Sequence, residues 1–286
     1  MKIGINAWVW QSPFTADSAR LITKAAEMGF EAFTVPVEDP SLIDIRSIKS
    51  VLANSSMTLY LTGAYGPDRD LTHDDPAVRN NSLNYISELL EICETLEVKV
   101  LAGPAYSAVG KRRHLSDEAR KREWDRAVDG LTKASHLAAE RGVTLAIEPL
   151  NRFETDLVNT CAQVKTLIQD VNHSNIRIHL DTFHMHIEEK NLFDAICLAG
   201  EDLVYIDASE SDRGTPGQGQ VYWSELARAL NKIDYKGDCI IESFTPECLT
   251  IADAAAIWRP LAASQDDLAF DGLAFLKTLR DSHNLY

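Results

Sequence analysis

The feature that most constrains the fold is a regular alternation of short β-branched runs with longer stretches of helical periodicity along the whole chain. Each run is followed by helical sequence, and after the third run Leu83, Ile86 and Leu90 recur at the spacing of one helix face. This order predicts repeated βα units. The candidate strands lie at residues 2–7, 30–36, 57–62, 98–103, 143–148, 176–181, 203–207 and 238–243.

The number and length of these units favour a closed barrel. Eight units in 286 residues give a mean repeat of about 36 residues, and a (β/α)8 barrel typically has about 250 residues. A doubly wound open sheet is the alternative, but neither G-x-G-x-x-G after the first strand nor G-x-x-x-x-G-K-[ST] occurs. Because no linker or low-complexity segment interrupts the pattern, we predict one (β/α)8 TIM-barrel domain over residues 1–286.

Charge and composition narrow the function classes. The formal charge of −15, from 28 basic and 43 acidic residues, opposes nucleic-acid binding, which requires clustered Lys and Arg. The chain starts directly on a strand-like segment and has no 18-residue apolar run, so neither export nor membrane insertion is expected. The five cysteines form no C-x-x-C pair and are expected to be reduced, which predicts a cytoplasmic protein.

Four late strands end in a carboxylate: Glu148, Asp181, Asp207 and Glu242. Their spacings of 33, 26 and 35 residues correspond to one βα unit each. Side chains alternate across a strand, so these acids face opposite to their aliphatic neighbours and point into the barrel at its carboxyl end. Carboxylates so close together raise one another's pKa or require a cation, which predicts a divalent metal site. The alternative is that the acids cap the following helices.

Several motifs resemble one family, the ketose 3-epimerases of the D-tagatose/D-psicose 3-epimerase type among the xylose isomerase-like barrels. The resemblance extends over essentially the whole chain, and its most specific stretches are Ile147–Glu154, Leu180–Glu189, Asp212–Gly217 and Ile241–Phe244. It implies that Glu148, Asp181 and Glu242 hold a divalent metal, usually Mn²⁺ and otherwise Mg²⁺ or Co²⁺, with a fourth ligand from the seventh strand. It also implies that Glu154, His184 and Arg213 contact the sugar, and that the protein is a dimer or tetramer.

The chemistry expected of such a site is proton transfer beside a carbonyl. A Lewis-acid metal stabilises an enediolate, and inversion of the carbon needs one group to take a proton and another to return one. Glu148 and Glu242, at the ends of the fifth and eighth strands, are the predicted acid/base pair. The expected function is therefore C3 epimerisation of a ketose, free or phosphorylated. An aldose–ketose isomerase, which uses the same parts, is the nearest alternative.

The seventh strand departs from the resembled family, in which the fourth ligand is a His at the position of Asp207. Aspartate binds hard cations through oxygen, so an all-carboxylate site for Mn²⁺ or Mg²⁺ is chemically sensible. His179 shares the inward face of Asp181, and we hypothesise that it hydrogen-bonds Asp207 or another site carboxylate from outside the metal ligands. The alternative is a weakened, sugar-binding barrel. A zinc phosphoesterase is disfavoured, because such sites collect several histidines.

Two further segments lie on the predicted rim. Residues 111–114, Lys-Arg-Arg-His, follow the fourth strand and are either a grip for a sugar phosphate or a solvated loop. Trp8, Trp10 and Phe14 follow the first strand and either form an apolar wall against the sugar or simply pack in the core.

Overall fold

The computed structural model describes residues 1–53 and 55–286, which form a closed barrel of eight parallel strands. Each strand pairs with its neighbours in chain order, and β1 pairs with β8 to close the sheet. The predicted fold class, a (β/α)8 TIM barrel, is confirmed. The strands are β1 (Ile3–Asn6), β2 (Ala32–Val37), β3 (Thr58–Gly63), β4 (Val100–Gly103), β5 (Thr144–Ile147), β6 (Ile176–Asp181), β7 (Leu203–Ala208) and β8 (Asp238–Ile241).

Helices connect successive strands on the outside of the barrel. Two of them, α6 and α7, lie between β6 and β7, and α9 is an additional short helix after β8. The helices are α1 (Arg20–Met28), α2 (Ile45–Leu52), α3 (Pro76–Leu96), α4 (Asp117–Glu140), α5 (Cys161–Val171), α6 (Thr182–Glu188), α7 (Leu192–Ala199), α8 (Trp223–Lys232), α9 (Leu249–Ala254) and α10 (Gln265–Ser282).

The alternation of side chains along the strands produces two separate cores. Aliphatic residues such as Ile5, Val35 and Leu145 face outward and belong to one large buried cluster that includes the helices. A second, small cluster fills the barrel itself and consists of Ala32, Tyr60, Ala102, Ala146, Tyr205 and Ile240. The acids predicted to point inward have the same parity as this second cluster, since Glu148 follows Ala146 by two residues and Asp207 follows Tyr205 by two.

Several strand boundaries differ from the sequence-based ones. Residues 143–148 and 238–243 are predicted as strands, but β5 ends at Ile147 and β8 at Ile241, so Glu148 and Glu242 lie one residue beyond. The pairing explains this, because the last partners of both strands are these isoleucines, at Gly103↔Ile147 and Ala208↔Ile241. Aliphatic content reports where a strand is buried, whereas its end depends on the neighbouring strand's length.

Among the described residues, no helix combines the length and apolar character needed to cross a lipid bilayer. The cytoplasmic location stays a prediction.

Candidate active site

The site is a cavity of about 940 Å³ at the carboxyl ends of the strands. Five of the eight predicted site residues line it, namely Glu148, Glu154, His184, Arg213 and Glu242. The other three, Asp181, Asp207 and His179, lie beneath it and are almost completely buried, at 0%, 2% and 1% exposure. The sequence-predicted residues therefore form two layers, one in contact with the cavity and one under its floor.

Asp181 serves as a helix cap as well as a member of the site. Its Oδ1 accepts a hydrogen bond from the Phe183 backbone N–H at 2.8 Å at the start of α6, while its Oδ2 faces Arg213. Glu148, Asp207 and Glu242 cap none of the described helices. The capping alternative thus holds for one of the four acids and leaves the other three without that explanation.

Crowding and burial disfavour the charged forms of three of the acids. Burial, together with Glu242, raises the pKa of Glu148 well above its usual value. Burial and Asp207 do the same to the pKa of Glu242, and burial and Asp181 to that of Asp207. Carboxyl groups with raised pKa values can both hold and release a proton near neutral pH, which acid–base chemistry requires.

Arg213 is the cation that faces this cluster. Its Nη1 lies 2.5 Å from Asp181 Oδ2 and 2.7 Å from Glu242 Oε2. Burial opposes its charge, but Asp181 and Glu242 outweigh that effect and raise its pKa. The rings of Phe183 and Phe244 flank the guanidinium carbon at 4.1 and 5.1 Å. The arginine is therefore held as a fixed positive charge, and it satisfies Asp181 and Glu242.

The backbone around Arg213 is folded by a buried acid that sequence reasoning missed. Arg213 itself has a positive φ of 64°. Glu210 accepts hydrogen bonds from the backbone N–H groups of Ser211, Gly217 and Val221, and from the Trp223 indole, at 2.8–3.0 Å. The signal available in the sequence was an acid beside the Gly/Pro-rich segment 214–219, because a loop outside helix and sheet leaves backbone N–H groups that need an acceptor where they are buried.

His184 has protein contacts at both ring nitrogens. Its Nδ1 accepts from the Asn151 backbone N–H at 3.1 Å, and its Nε2 lies 3.2 Å from Arg213 Nη2. Burial lowers the pKa of His184 to about 3, which keeps the ring neutral. Its Nε2 lies 3.5 Å from Glu148 Oε1 and 3.6 Å from Asp181 Oδ2. The side chain of Asn151, another residue that sequence reasoning missed, also contacts His184 and donates to Glu154 Oε1 at 2.8 Å.

His179 lies under the carboxylates, as its inward parity predicted. Its Nε2 is 2.8 Å from Asp207 Oδ2, and its Nδ1 is 3.6 Å from Glu148 Oε2. Neither ring nitrogen has a partner in hydrogen-bonding geometry, and neither does Asp207 Oδ1. Burial lowers the pKa of His179 to about 3, so the ring is neutral. Six buried side-chain polar atoms lack a partner in the described part of the chain, and three of them are here.

These residues fit a divalent metal ion. Four buried carboxyl groups face a single arginine, so the protein's own positive charge does not balance them. The unpartnered His179 and Asp207 atoms add free lone pairs in the same place. Two sets of possible ligand atoms lie within 4.8 Å of one another: Glu148, Asp181 and His184, and Glu148, His179 and Asp207. Oxygen-rich donors with one imidazole suit several divalent ions.

The rim segments behave differently from one another. Trp8 lines the cavity, and its indole donates to Glu38 at 2.8 Å. The rest of the predicted aromatic wall is wrong, because Trp10 bonds Asp266 away from the cavity and Phe14 is buried in the core. Lys111 pairs with Asp70 and Glu123 at 2.8 and 3.1 Å.

Arg113, in the same basic segment, pairs with Glu123 at 2.8 Å and with Asp156 at 3.0 Å. Two of the segment's four residues are neutralised in this way, and Arg112 is the one cation of the segment that lines the cavity.

Comparison with known proteins places this chain in a family. The model of the xylose isomerase-like TIM barrel matches residues 22–279. The chain belongs to this family. D-psicose 3-epimerase of Ruminiclostridium cellulolyticum is 31% identical over 278 residues, which cover 95% of this chain and 93% of that protein. L-ribulose 3-epimerase of Mesorhizobium japonicum is 32% identical and covers 96% and 93%.

Solved structures agree. The crystal structure of D-allulose 3-epimerase from Methylomonas sp. has a TM-score of 0.92 and 31% sequence identity, over 98% of each chain. The resemblance to ketose 3-epimerases is therefore confirmed, and an enzyme of the isomerase class is supported. The alternatives of an aldose–ketose isomerase and of a weakened sugar-binding barrel are not favoured.

Proposed function

We propose that this xylose isomerase-like barrel is a metal-dependent epimerase that inverts C3 of free ketoses. The observation that carries the proposal is the pair of buried glutamates, Glu148 and Glu242, which line the same cavity and share raised pKa values. Similarity over nearly the whole chain to proteins named D-psicose and L-ribulose 3-epimerase supports the choice of substrate.

In this mechanism the two glutamates share the proton transfers. One takes the proton from C3, and the other returns a proton to the opposite face. Because burial and mutual repulsion disfavour two negative charges, one glutamate carries a proton while its partner is ionised. Arg213, whose Nη1 contacts Glu242, biases that residue towards its charged form. This assigns Glu242 as the first base and Glu148 as the first acid for one direction of the reaction.

The remaining site residues orient the sugar and hold the metal. His184, which lines the cavity, contacts a substrate oxygen, and Glu154, fixed by Asn151, accepts from a hydroxyl. Glu148, Asp181, Asp207 and Glu242 are the proposed metal ligands, with Mn²⁺ as the expected ion and Mg²⁺ or Co²⁺ as substitutes. The bound ion would polarise the carbonyl beside C3 and stabilise negative charge on its oxygen.

The substrate is proposed to be unphosphorylated on the similarity to proteins named D-psicose and L-ribulose 3-epimerase, and the pairing of Lys111 and Arg113 with acids leaves Arg112 as the one cation of that segment at the cavity. A cytoplasmic location is proposed on the five unpaired cysteines, and a homodimer or homotetramer on the resemblance alone.

The test is product analysis in deuterated water. Metal-loaded protein incubated with D-psicose, D-tagatose, D-fructose and L-ribulose is expected to give the C3 epimer of at least one ketose, with deuterium at C3 by NMR. Deuterium at C1 or C2 would instead identify an aldose–ketose isomerase. The corresponding ketose phosphates form the comparison arm, and faster turnover of a phosphate would contradict the assignment to free sugars.

A further inference from the structure

The four site acids differ in how their charge is balanced. Asp181 and Glu242 share the guanidinium of Arg213, with contacts of 2.5 and 2.7 Å. Glu148 and Asp207 form no ion pair with a lysine or arginine in the described part of the chain, and the side chains closest to them include His179. The unbalanced negative charge therefore lies on the side of β5, β6 and β7, beneath the cavity floor.

The two buried histidines also differ. Both ring nitrogens of His184 have protein partners, since Nδ1 accepts from the Asn151 backbone N–H and Nε2 lies 3.2 Å from Arg213 Nη2. His179 is 1% exposed, and neither of its nitrogens is engaged in a hydrogen bond. A buried imidazole with no partner is costly unless something outside the protein binds it. Of the two, His179 is the one whose ring nitrogens no protein group occupies.

The spacing of atoms around His179 suits metal coordination better than a hydrogen bond. His179 Nε2 and Asp207 Oδ2 are 2.8 Å apart, yet they are not aligned as donor and acceptor. Two adjacent ligands on one ion, each bound at about 2.1 Å and at right angles, are about 3 Å apart. Glu148, His179 and Asp207 also present ligand atoms within 4.8 Å of one another.

We propose that His179 is a direct nitrogen ligand of the divalent metal and that Glu148 and Asp207 complete the inner side of its site. With His179 as a ligand, the metal is bound by nitrogen as well as by carboxylate oxygens. This rests on the proposed function only in that the chain binds a divalent cation; it does not depend on which sugar is turned over. It also differs from the hypothesis that His179 acts on Asp207 from outside the coordination sphere.

The decisive measurement is pulsed EPR on metal-free protein loaded with MnCl₂, without any sugar. The spectrum is expected to show coupling to one imidazole nitrogen, and the coupling should change to that of ¹⁵N when the protein is made with ¹⁵N-histidine. This arm uses the unaltered chain, so it does not depend on a variant that folds. A manganese spectrum free of imidazole coupling would overturn the proposal.

Matched variants identify which histidine binds. His179→Gln should lose the nitrogen coupling and raise the Kd for Mn²⁺ by calorimetry at least about 10-fold, whereas His184→Gln should keep the coupling. The double variant His179→Gln with Asp207→His, which moves the nitrogen to the adjacent strand, should recover coupling and affinity. Coupling that persists in His179→Gln and disappears in His184→Gln would refute the assignment.

The outcome is separable from that of the proposed epimerase activity. If no ketose is converted but the coupling follows His179, the function fails and the ligand assignment stands. If ketoses are epimerised and the coupling is absent, the assignment fails and the function stands.

Discussion

Two aspartates on adjacent strands of the barrel are buried to a similar degree but have opposite surroundings. Asp238 begins β8 at the floor of the barrel, and both of its oxygens are satisfied, Oδ1 by the Lys2 backbone N–H at 2.9 Å and Oδ2 by the Tyr60 hydroxyl at 2.8 Å. Asp207, near the end of β7, has an Oδ1 with no partner. The protein itself supplies the hydrogen-bond partners of Asp238, at the amino-terminal end of the barrel. Asp207, at the carboxyl end, requires a ligand from outside.

This contrast separates stability from function within one barrel. A buried polar group with partners contributes to the fold, while a buried group without them costs free energy that only a bound species recovers. The mouth contains such groups, since both ring nitrogens of His179 and Asp207 Oδ1 lack partners there, and burial raises the pKa values of Glu148, Asp207 and Glu242. We therefore expect substitution of Asp238 to lower stability and leave turnover unchanged, and substitution of the acids at the carboxyl end to lower turnover or metal binding with little loss of stability.

The largest effect is expected on turnover. Glu148→Gln and Glu242→Gln each remove a group that carries the proton, so kcat should fall by about 10²- to 10⁴-fold in steady-state assays. Asp238→Asn is the control from the floor, and its folded protein should turn over at the wild-type rate. Equal losses of kcat in all three variants would mean that Glu148 and Glu242 affect turnover through the stability of the fold, as Asp238 does, and not through proton transfer.

Metal loading is expected to stabilise the folded protein through the site at the carboxyl end of the barrel alone. Adding Mn²⁺ at about 100 times its Kd should raise the free energy of unfolding by about 2.7 kcal/mol, measured by denaturant titration with and without chelator. Asp207→Ala should lose most of this increment because it removes a proposed ligand. Asp238→Asn should retain it, and an increment that survives in Asp207→Ala would place the ion elsewhere.

The stability of the metal-free protein should distinguish the two aspartates, Asp238 and Asp207. Asp238→Ala leaves the Tyr60 hydroxyl and the Lys2 N–H without an acceptor and should lower the free energy of unfolding by about 1–3 kcal/mol. Asp207→Asn should leave it unchanged or raise it, because the variant removes a poorly solvated charge. Chemical denaturation of both variants in the presence of chelator measures this, and destabilisation by Asp207→Asn would contradict it.

The smallest effect concerns pH. A carboxyl group whose pKa is higher in the folded state binds more protons when folded, so its contribution to stability is complete below its unfolded pKa of about 4.5 and is lost as pH rises. For Glu148 the slope is at most about 1.4 kcal/mol per pH unit. Between roughly pH 5 and 6, metal-free Glu148→Gln should therefore lose less stability than the wild type, by at most about 1.4 kcal/mol, in pH-dependent denaturation; parallel curves would argue against a raised pKa.

Much of the site was accessible from strand parity. The inward orientation of Glu148, Asp181, His179, Asp207 and Glu242 follows from counting residues along each strand, because side chains alternate regardless of tertiary context. The pairing of Lys111 and Arg113 with acids could not be predicted. Their partners Asp70 and Asp156 lie about 40 residues away along the chain, and only the packing of loops brings them together.

The sequence by itself determined the closed eight-stranded barrel and the gathering of acids at one end, since the βα period and the two-residue alternation are local properties of the chain. Only the tertiary structure decided how those acids are balanced. Arg213 reaches Asp181 and Glu242 because Glu210 folds its loop, while His179 is left unbonded between Glu148 and Asp207. Charge balance depends on distances of a few ångströms between different strands and loops, and these distances are not encoded in any local pattern.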